Sequence, residues 1–269
     1  MHKIVEQNKI KEIVVALDER RNKIPADEIL ECKMRGVRVV DVNYFLERQL
    51  GKISLDTLHP SALIYSQGFV QGRIKSTIKR IFDLVVASCM LVVTLPVMLL
   101  TVLAIKIESG LKGSVFYIQE RVGANNKPFK ICKFRSMTEN AESNGKDVWA
   151  QKHDSRVTKV GNFIRKTRID ELPQLYNVLK GNMSFVGPRP ERPQFVDDLS
   201  EQIPFYALRH HAKPGITGWA QICYPYGASV EDAKEKLQYD LYYLKHNTVF
   251  LDLLILMQTA AVIFLAKGR

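Results

Sequence analysis

The chain has 269 residues, of which 46% are hydrophobic, so it can bury one core and a small second unit and is not a disordered protein. Lysine and arginine number 39 against 28 acidic residues, and the formal net charge of +11 favours acidic partners such as phosphates, anionic lipid headgroups or nucleic acid. The four cysteines are scattered, without a Cys-x-x-Cys pair, so neither a zinc site nor a disulfide framework is predicted. The first residues lack the pattern of a secretory signal, so the soluble parts are expected in the cytoplasm.

Residues 1–74 are predicted to form a small α/β unit. The apolar runs at 13–17 and 37–42 are typical of strands, and a helix between them begins after Pro25 and ends at Gly36. This order implies a parallel pair with a crossover, which is part of a Rossmann-like sheet rather than a whole one. No glycine-rich phosphate loop follows the first strand, so packing or dimerisation is favoured over nucleotide binding, and the open strand edges favour a homodimer.

An uncharged apolar segment at 84–105 is long enough, as a helix, to match the hydrocarbon thickness of a bilayer. The simplest interpretation is one transmembrane helix. Pro96 predicts a kink or break, because it removes a backbone donor and clashes with the preceding turn, although a spanning helix tolerates a kink. Both flanks are basic, as is typical of the cytoplasmic side, so a re-entrant helix over about residues 79–108 is favoured. The flanking charges are Lys75, Lys79, Arg80, Lys106 and Lys112.

Two short strands at 114–119 and 128–134 are predicted to form a hairpin through the turn-rich stretch 123–127. Basic residues lie in or just after the second strand. They are equally typical of a solvated face and of contact with phosphates or lipid headgroups. These residues are Lys130, Lys133 and Arg135.

Two adjacent carboxylates, Asp170 and Glu171, precede a helix that Gly181 is predicted to end. The structural interpretation, favoured by the local sequence, places Asp170 at the N-cap and Glu171 in the first turn. The chemical interpretation is that the helix start and Arg165 or Arg168 keep a carboxylate ionised, so that it can attack phosphorus. Repulsion from a diphosphate would then be relieved by a divalent cation, and magnesium suits oxygen ligands.

Two turns could present groups to a ligand. In the stretch 187–190, Pro188 and Pro190 stiffen the backbone around Arg189, so that its guanidinium is presented at little entropic cost. The alternative is a surface turn with an incidental charge. The stretch 213–218 has glycines that would allow the backbone to approach a ligand closely.

Six stretches, in this order along the chain, resemble the monotopic phosphoglycosyl transferases. These are the bacterial polyprenyl-phosphate sugar-1-phosphate transferases that begin exopolysaccharide, O-antigen or glycoprotein glycan assembly. The stretches are KRIFD (79–83), KFRSM (133–137), DELPQL (170–175), NVLKG (177–181), MSFVGPRP (183–190) and PGITG (214–218). The resemblance implies an α+β monotopic membrane protein at the cytoplasmic face of the inner membrane. It implies a catalytic domain at 75–269 that carries a re-entrant membrane helix, a short β-hairpin and interfacial amphipathic helices.

The resemblance also implies a two-step exchange. Asp170 attacks the β-phosphate of a UDP-sugar and releases UMP, and a polyprenyl phosphate then takes the sugar phosphate from the enzyme. Glu171 would assist the metal or the proton, and both carboxylates would hold Mg2+. Arg165 and Arg189 match positions that contact phosphate. The other candidates for substrate or phosphate binding are Arg168, Lys133 and Arg135.

The chain departs from the family pattern at the membrane helix. Relatives break it at a Ser-Pro pair, whereas this chain has Leu95 and Pro96, with Thr94 one place earlier. The break is expected to persist through Pro96, but any supporting bond from a hydroxyl to the backbone is left unassigned. Asn182 stands where relatives often have Asp and is read as peripheral. The N-terminal unit resembles the end of the dehydratase-like or CoA-binding-like domain of longer members, which implies a short member or a piece of a longer one.

The C-terminal apolar stretches at 239–244 and 249–265 predict either a core-packing helix pair or an interfacial helix on the membrane, where inner-membrane lipids are partners. Asp252 argues against a second span. His210 and His211 lack a partner at metal spacing and are expected to be structural.

Two other classes of protein are compatible with a basic chain of this size. A non-catalytic membrane adaptor would not need the carboxylate pair together with arginines. A nucleic-acid-binding protein would show an aromatic-basic platform or a helix-turn-helix pattern, and neither is found, so no nucleic-acid partner is expected. The identity of the sugar stays open, with an unacetylated hexose slightly favoured.

Overall fold

The computed structural model describes residues 2–16, 25–56, 58, 60–66, 68–70, 72–111, 113–138, 156–225, 227 and 229–264. The chain separates into two compact units, Met1–Tyr65 and Ser66–Arg269. Three residues that entered the sequence predictions, Leu17, Lys112 and Leu265, lie outside the described part of the chain.

The first unit contains a two-stranded parallel sheet. Its elements are α1 (His2–Gln7), β1 (Glu12–Val15), α2 (Ala26–Met34), β2 (Arg38–Asp41), α3 (Val42–Leu50) and α4 (Pro60–Tyr65). β1 pairs with β2 in parallel, and α2 connects them in the chain, so the predicted strand, helix, strand order is confirmed. The Rossmann-like character of this unit stays a prediction, because a doubly wound sheet needs more than one strand pair.

The second unit joins a long helix to a mixed α/β body. Its elements are α5 (Arg73–Glu108), β3 (Phe116–Val122), β4 (Pro128–Phe134), α6 (Lys159–Lys166), α7 (Gln174–Lys180), β5 (Ser184–Val186), α8 (Pro193–Gln202), β6 (Gly215–Thr217), α9 (Trp219–Cys223), α10 (Val230–His246) and α11 (Val249–Phe264). The antiparallel hairpin of β3 and β4 is confirmed, with β3 placed slightly later than predicted. The core of this unit lies between α5, α7, α10 and α11, around β5.

The glycines of the stretch 213–218 serve backbone packing. β5 and β6 form a parallel pair, and the Gly187 amide just after β5 donates to Thr217 O at 2.9 Å. A Cβ atom at Gly215 or at Gly218 would collide with the backbone of Gly187. The close approach that these glycines permit is therefore an approach to the turn that carries Arg189.

Helix α5 continues through Leu95 and Pro96 without interruption over 36 residues. Thr94 Oγ1 donates to Met90 O at 2.7 Å, a bond of the kind that often bends a helix. Thr94 thus supplies the hydroxyl-to-backbone bond that the Leu95-Pro96 pair had left unassigned. The bend of the axis at this point stays a prediction.

Both ends of α5 pack on the body of the second unit. Near its start, Arg80 donates to Val178 O at 2.6 Å, and Ala87, two turns later, is fully buried in the main core. Near its end, Ile105 packs with Phe134 of β4 and Ile164 of α6. Many of the apolar side chains between Ala87 and Ile105 are exposed, including Val92, Val93, Leu95, Val97, Leu99 and Leu100. Among the described residues, α5 is the one helix long and apolar enough to cross a membrane by length and composition.

The two C-terminal helices differ in burial. The stretch 239–244 lies in α10, and most of it faces the core. In α11, Asp252 and Ile255 are fully buried, whereas Phe250 and Met257 are exposed. Asp252 accepts a hydrogen bond from Tyr243 Oη at 2.8 Å, so its charge belongs to the interior of this unit. α11 therefore has features of both predicted helix types, since one of its faces packs on the core and another, apolar face is exposed.

Candidate active site

The two carboxylates lie in a short 3₁₀ turn, Ile169–Glu171, between α6 and α7. Arg168 enters this turn with a left-handed backbone (φ 58°), and α7 begins only at Gln174, after Pro173. The prediction that Asp170 caps the following helix is wrong, because the cap position belongs to Pro173. The predicted end of that helix at Gly181 is confirmed by its left-handed backbone (φ 91°).

Asp170 has a buried oxygen without a hydrogen-bond partner among the residues that the structure describes. Its Oδ1 atom is buried and accepts no hydrogen bond from the described residues. Buried carboxylate oxygens are normally hydrogen-bonded, so an unpaired one is a candidate for function. The structure therefore does not support the interpretation that Asp170 caps backbone amides.

Glu171 is buried and is the centre of a group of cations. Its Oε1 atom lies 3.3 Å from Lys133 Nζ and 3.2 Å from Arg189 Nη2. Arg168 Nη1 lies 3.8 Å from the same oxygen. Lys133 comes from β4, Arg189 from the turn after β5, and Arg168 from the residue before the 3₁₀ turn. We call these three residues the cation cluster.

The two carboxylates have different charge environments. Burial raises the pKa of Glu171, but the cation cluster outweighs it and holds this pKa well below the usual range. Burial and repulsion from Glu171 raise the pKa of Asp170 to about 6, although Lys133 and the nearby arginines lower it. Desolvation is thus the largest effect at Asp170, and Arg168 and Arg165 lower its pKa, in the direction that the sequence predicted. Both groups are ionised at neutral pH, and Asp170 is the more basic.

Two other predicted residues lie outside the cation cluster. Arg165, in the last turn of α6, is close enough to lower the pKa of Asp170 but forms no described ion pair with either carboxylate. The guanidinium of Arg135 lies against Gly113, where any side chain at position 113 would collide with it. Arg135 is thus not among the described cations paired with Glu171.

Asn177 is a site residue to which sequence reasoning assigned no role. It is buried in α7, its Nδ2 donates to Lys130 O at 2.8 Å, and its Oδ1 accepts from Cys132 N at 3.1 Å. These bonds hold β4 to α7 just before Lys133, so Asn177 places that cation beside Glu171. The available signal was an amide inside an apolar helical run, which usually needs a specific partner.

Three further residues that sequence reasoning missed lie behind the turn that carries Arg189. Arg121 of β3 donates to Pro190 O at 3.2 Å. Arg209 donates to Arg189 O at 3.0 Å and is ion-paired with Asp240 at 2.8 Å. Their partners are 69, 20 and 31 positions away, so no local pattern could reveal them.

The two histidines differ in burial. His210 is buried, its Nδ1 lies 2.7 Å from Asn126 Oδ1, and burial lowers its pKa to about 3. His211 is exposed. Neither is paired with the two carboxylates in the described part of the chain.

The oxygen atoms at the site decide whether it suits a divalent cation. The described residues contain no group of three or more His, Cys, Asp or Glu side chains that could hold a metal ion. The unpaired Oδ1 of Asp170 is the kind of oxygen ligand that Mg2+ prefers, whereas Oε1 of Glu171 already faces three cations. The donor set fits a magnesium ion held by Asp170 with ligands from substrate and water, and it does not favour Glu171 as a ligand.

The chain is similar to known proteins over most of its length. A family model described as bacterial sugar transferase matches residues 74–266. The chain is 42% identical over 240 residues to the UDP-N-acetylgalactosamine-undecaprenyl-phosphate N-acetylgalactosaminephosphotransferase of Aeromonas hydrophila, covering 89% of this chain and 55% of that protein. It is 43% identical over 197 residues to a UDP-glucose:undecaprenyl-phosphate glucose-1-phosphate transferase of Klebsiella pneumoniae, covering 72% and 42% of the two chains.

A relative of the same name from Caulobacter vibrioides is 42% identical over 184 residues, which cover 67% of each chain. The chain thus spans about half the length of the first two relatives. The matched residues include both carboxylates and the cation cluster.

Proposed function

The chain belongs to the bacterial sugar transferase family, and on that premise we propose that it transfers a sugar-1-phosphate from a UDP-sugar to a polyprenyl phosphate and releases UMP. This would be the first membrane step in the assembly of an exopolysaccharide, O-antigen or related glycan. The observation that carries the proposal is the pair of adjacent carboxylates, one unpaired and raised in pKa, the other surrounded by cations. The relatives are named for different sugars, so the sugar is left open.

Asp170 is the proposed nucleophile. One of its oxygens attacks the β-phosphorus of the UDP-sugar, and the bond from that phosphorus to the bridging oxygen breaks, so that UMP leaves with the electron pair. An oxygen of the polyprenyl phosphate then attacks the same phosphorus, and the Asp170 carboxylate leaves. Its support is chemical, since a carboxylate with a pKa of about 6 is ionised at neutral pH yet more nucleophilic than an ordinary aspartate.

Glu171 is proposed to order the cation cluster. Because its pKa is held well below the usual range, it stays ionised and cannot act as a proton donor near neutral pH. Its charge keeps Lys133 and Arg189 close to the position where a pyrophosphate would meet Asp170. These cations would stabilise the negative charge that develops on the transferred phosphoryl group.

A magnesium ion is proposed at Asp170. When bound, such an ion neutralises the repulsion between a carboxylate and a pyrophosphate. Asp170 would hold it through its unpaired Oδ1 oxygen.

The proposed location is the cytoplasmic face of the inner membrane, with α5 as a re-entrant element in contact with lipid. A straight spanning helix would carry its two ends to opposite sides of the bilayer, yet both ends of α5 pack on one folded unit. The exposed apolar side chains lie between these ends, around Pro96. This arrangement would bring the active site close to the phosphate of a lipid acceptor.

The test is UMP release by the purified protein with Mg2+ and a panel of UDP-sugars. Without polyprenyl phosphate, one equivalent of UMP per enzyme is expected, and turnover is expected once the acceptor is added. Asp170→Asn should abolish both, whereas Asp197→Asn, at an exposed carboxylate of α8, should change neither. Turnover at the normal rate by Asp170→Asn would contradict the covalent route, and silence with every sugar would favour a non-catalytic adaptor.

A further inference from the structure

We propose that Arg209 and Arg121 are positioning residues that clamp the turn carrying Arg189 and so set where its guanidinium meets Glu171. The inference rests on the proposed function and assigns roles to two residues outside the carboxylates and the cation cluster. The clamp consists of two arginines that hold two successive backbone carbonyls, those of Arg189 and Pro190.

Arg209 is the deeper half of the clamp. Its guanidinium is only 5% exposed and donates in three directions. Nη2 donates to Arg189 O at 3.0 Å, Nε donates to Asp240 Oδ2 at 3.0 Å, and Nη1 donates to Tyr206 Oη at 2.8 Å. Asp240 is only 1% exposed, so the pair is a buried ion pair whose geometry is fixed on the α10 side.

The charge of Arg209 is maintained despite its burial. Burial lowers the pKa of the guanidinium, but Tyr206 and Asp240 outweigh this effect and raise it. A permanently charged, planar donor with fixed partners is a rigid support for a carbonyl, which a more flexible ammonium group would not reproduce.

Arg121 is the other half of the clamp. Its Nη1 donates to Pro190 O at 3.2 Å, and its Nη2 donates to Gln119 Oε1 at 2.7 Å. The next residue on β3 extends the contact, since Val122 N donates to Glu191 O at 2.9 Å. The hairpin therefore holds the end of the turn while Arg209 holds its middle.

The turn is held mainly through its carbonyl groups. Pro188 and Pro190 stiffen the backbone but have no N–H groups to donate. Gly215 N donates to Pro188 O at 2.9 Å, and Arg209 and Arg121 hold the two carbonyls that follow. The Arg189 side chain is 37% exposed and reaches Oε1 of Glu171 at 3.2 Å. Misplacement of a charged group by about 1 Å can lower a rate by about 100-fold. Holding the carbonyl at Arg189 therefore controls the position of a group that is proposed to meet phosphate.

The clamp predicts that the effects of substituting Arg209 and Arg189 are coupled. Neither Arg209 nor Arg121 is ion-paired with Asp170 or Glu171 in the described part of the chain. If Arg209 acts through Arg189, its substitution should matter only while Arg189 is present. A residue that merely stabilises the fold would lower activity by the same factor in either background.

The experiment is a double-mutant cycle with Arg209→Lys, Arg189→Gln and the pair, assayed by transfer of radiolabelled sugar phosphate in the full-length protein. Arg209→Lys keeps a positive charge beside Asp240 but cannot donate to three groups in the same geometry. We expect it to lower kcat/KM by roughly 10- to 100-fold alone and by less than about 2-fold in the Arg189→Gln background. Arg209→Lys should also change kcat and KM in the same proportions as Arg189→Gln does. Arg48→Lys, the same substitution at an ion pair with Glu12 in the first unit, is the matched control and should stay within about 2-fold.

Equal losses in both backgrounds, or normal activity of Arg209→Lys, would overturn the clamp. If Arg209→Lys does not fold, as judged by thermal unfolding, Arg121→Gln carries the same cycle at Pro190 O, and additive losses there would overturn the proposal. These results are distinct from failure of the proposed function, which would show as no transfer by the unaltered protein with any UDP-sugar and would remove both proposals.

Discussion

Lys133 Nζ lies 3.3 Å from Oε1 of Glu171, and this ion pair joins strand β4 to the 3₁₀ turn of the candidate active site. Both side chains are largely buried, so the interaction is weakly screened. Burial lowers the pKa of Lys133, while Glu171 raises it, so the carboxylate stabilises the charge that the lysine presents. The pair shows how the basic hairpin becomes part of the candidate active site.

The first prediction concerns the pH dependence of the first half-reaction. Since the pKa of Asp170 is raised to about 6, the fraction of nucleophilic carboxylate should rise as pH increases through 6 and level off above about 7. The UMP burst rate, measured with Mg2+ between pH 4 and 8, should have its half-maximum at or below pH 6, because a magnesium ion held by Asp170 would lower this pKa. A rate that increases as the pH falls below 6 would contradict the assignment of Asp170 as nucleophile.

The second prediction concerns stability. The folded pKa of Asp170, about 6, lies above its ordinary value of 3.8, so ionised Asp170 disfavours the fold, fully above pH 6 and progressively less as pH falls towards 4. Asp170→Asn should therefore raise the free energy of unfolding at pH 7.5 by about 1–3 kcal/mol. The gain should shrink between pH 6 and pH 4. Urea unfolding at several pH values measures it, and a pH-independent difference would refute the assigned shift.

The third prediction separates the two faces of β4. Lys133 lowers the pKa of Asp170, so Lys133→Met should move the half-maximum of the pH profile to higher pH than in the unaltered protein and lower kcat/KM by roughly 10- to 100-fold. Lys130→Met is the matched control, because its side chain is exposed three residues earlier on the same strand. An unchanged profile in Lys133→Met, or equal effects of the two substitutions, would count against the cation cluster.

The fourth prediction concerns Asn177. Asn177→Ala leaves Lys130 O and Cys132 N without their buried partner, which should lower the free energy of unfolding by about 2–4 kcal/mol. Asn182→Ala, at a half-buried position just past the end of α7, should change it by less than about 0.5 kcal/mol. Urea unfolding in detergent compares the two. Similar stabilities of both variants would show that the hydrogen bonds of Asn177 do not join β4 to α7.

The fifth prediction concerns membrane topology. In a background in which Cys32, Cys89, Cys132 and Cys223 are all replaced by alanine, single cysteines at Ser76 and Gly110 should react with an impermeant maleimide from the same, cytoplasmic side of sealed vesicles. Val93→Cys, at an exposed apolar position near Pro96, should react from neither side, because lipid would cover it. Labelling of positions 76 and 110 from opposite sides would replace the re-entrant helix by a spanning one.

Local patterns were reliable where a local rule governs the structure. The hairpin after α5 and the stop at Gly181 depend on residues that are close together in the chain, and the parallel pair in the first unit follows from the strand, helix, strand order. The cap at Asp170 was misread because an acidic residue before a helical run has the same appearance whether the helix begins at 171 or at 174. The choice depends on the backbone of Arg168 and Pro173, which the run itself does not reveal.

The amino-acid order alone was enough to identify the adjacent acids, the basic stretches, the proline-containing apolar segment and the family resemblance, because these are properties of composition and spacing. Three features were visible only in the tertiary structure. They are the cations around Glu171, the unpaired oxygen of Asp170 and the hydrogen bond from Arg209 to the Arg189 carbonyl. Desolvation and Coulomb energy depend on burial and on distances between atoms from segments far apart in the chain, and no spacing along one segment encodes them.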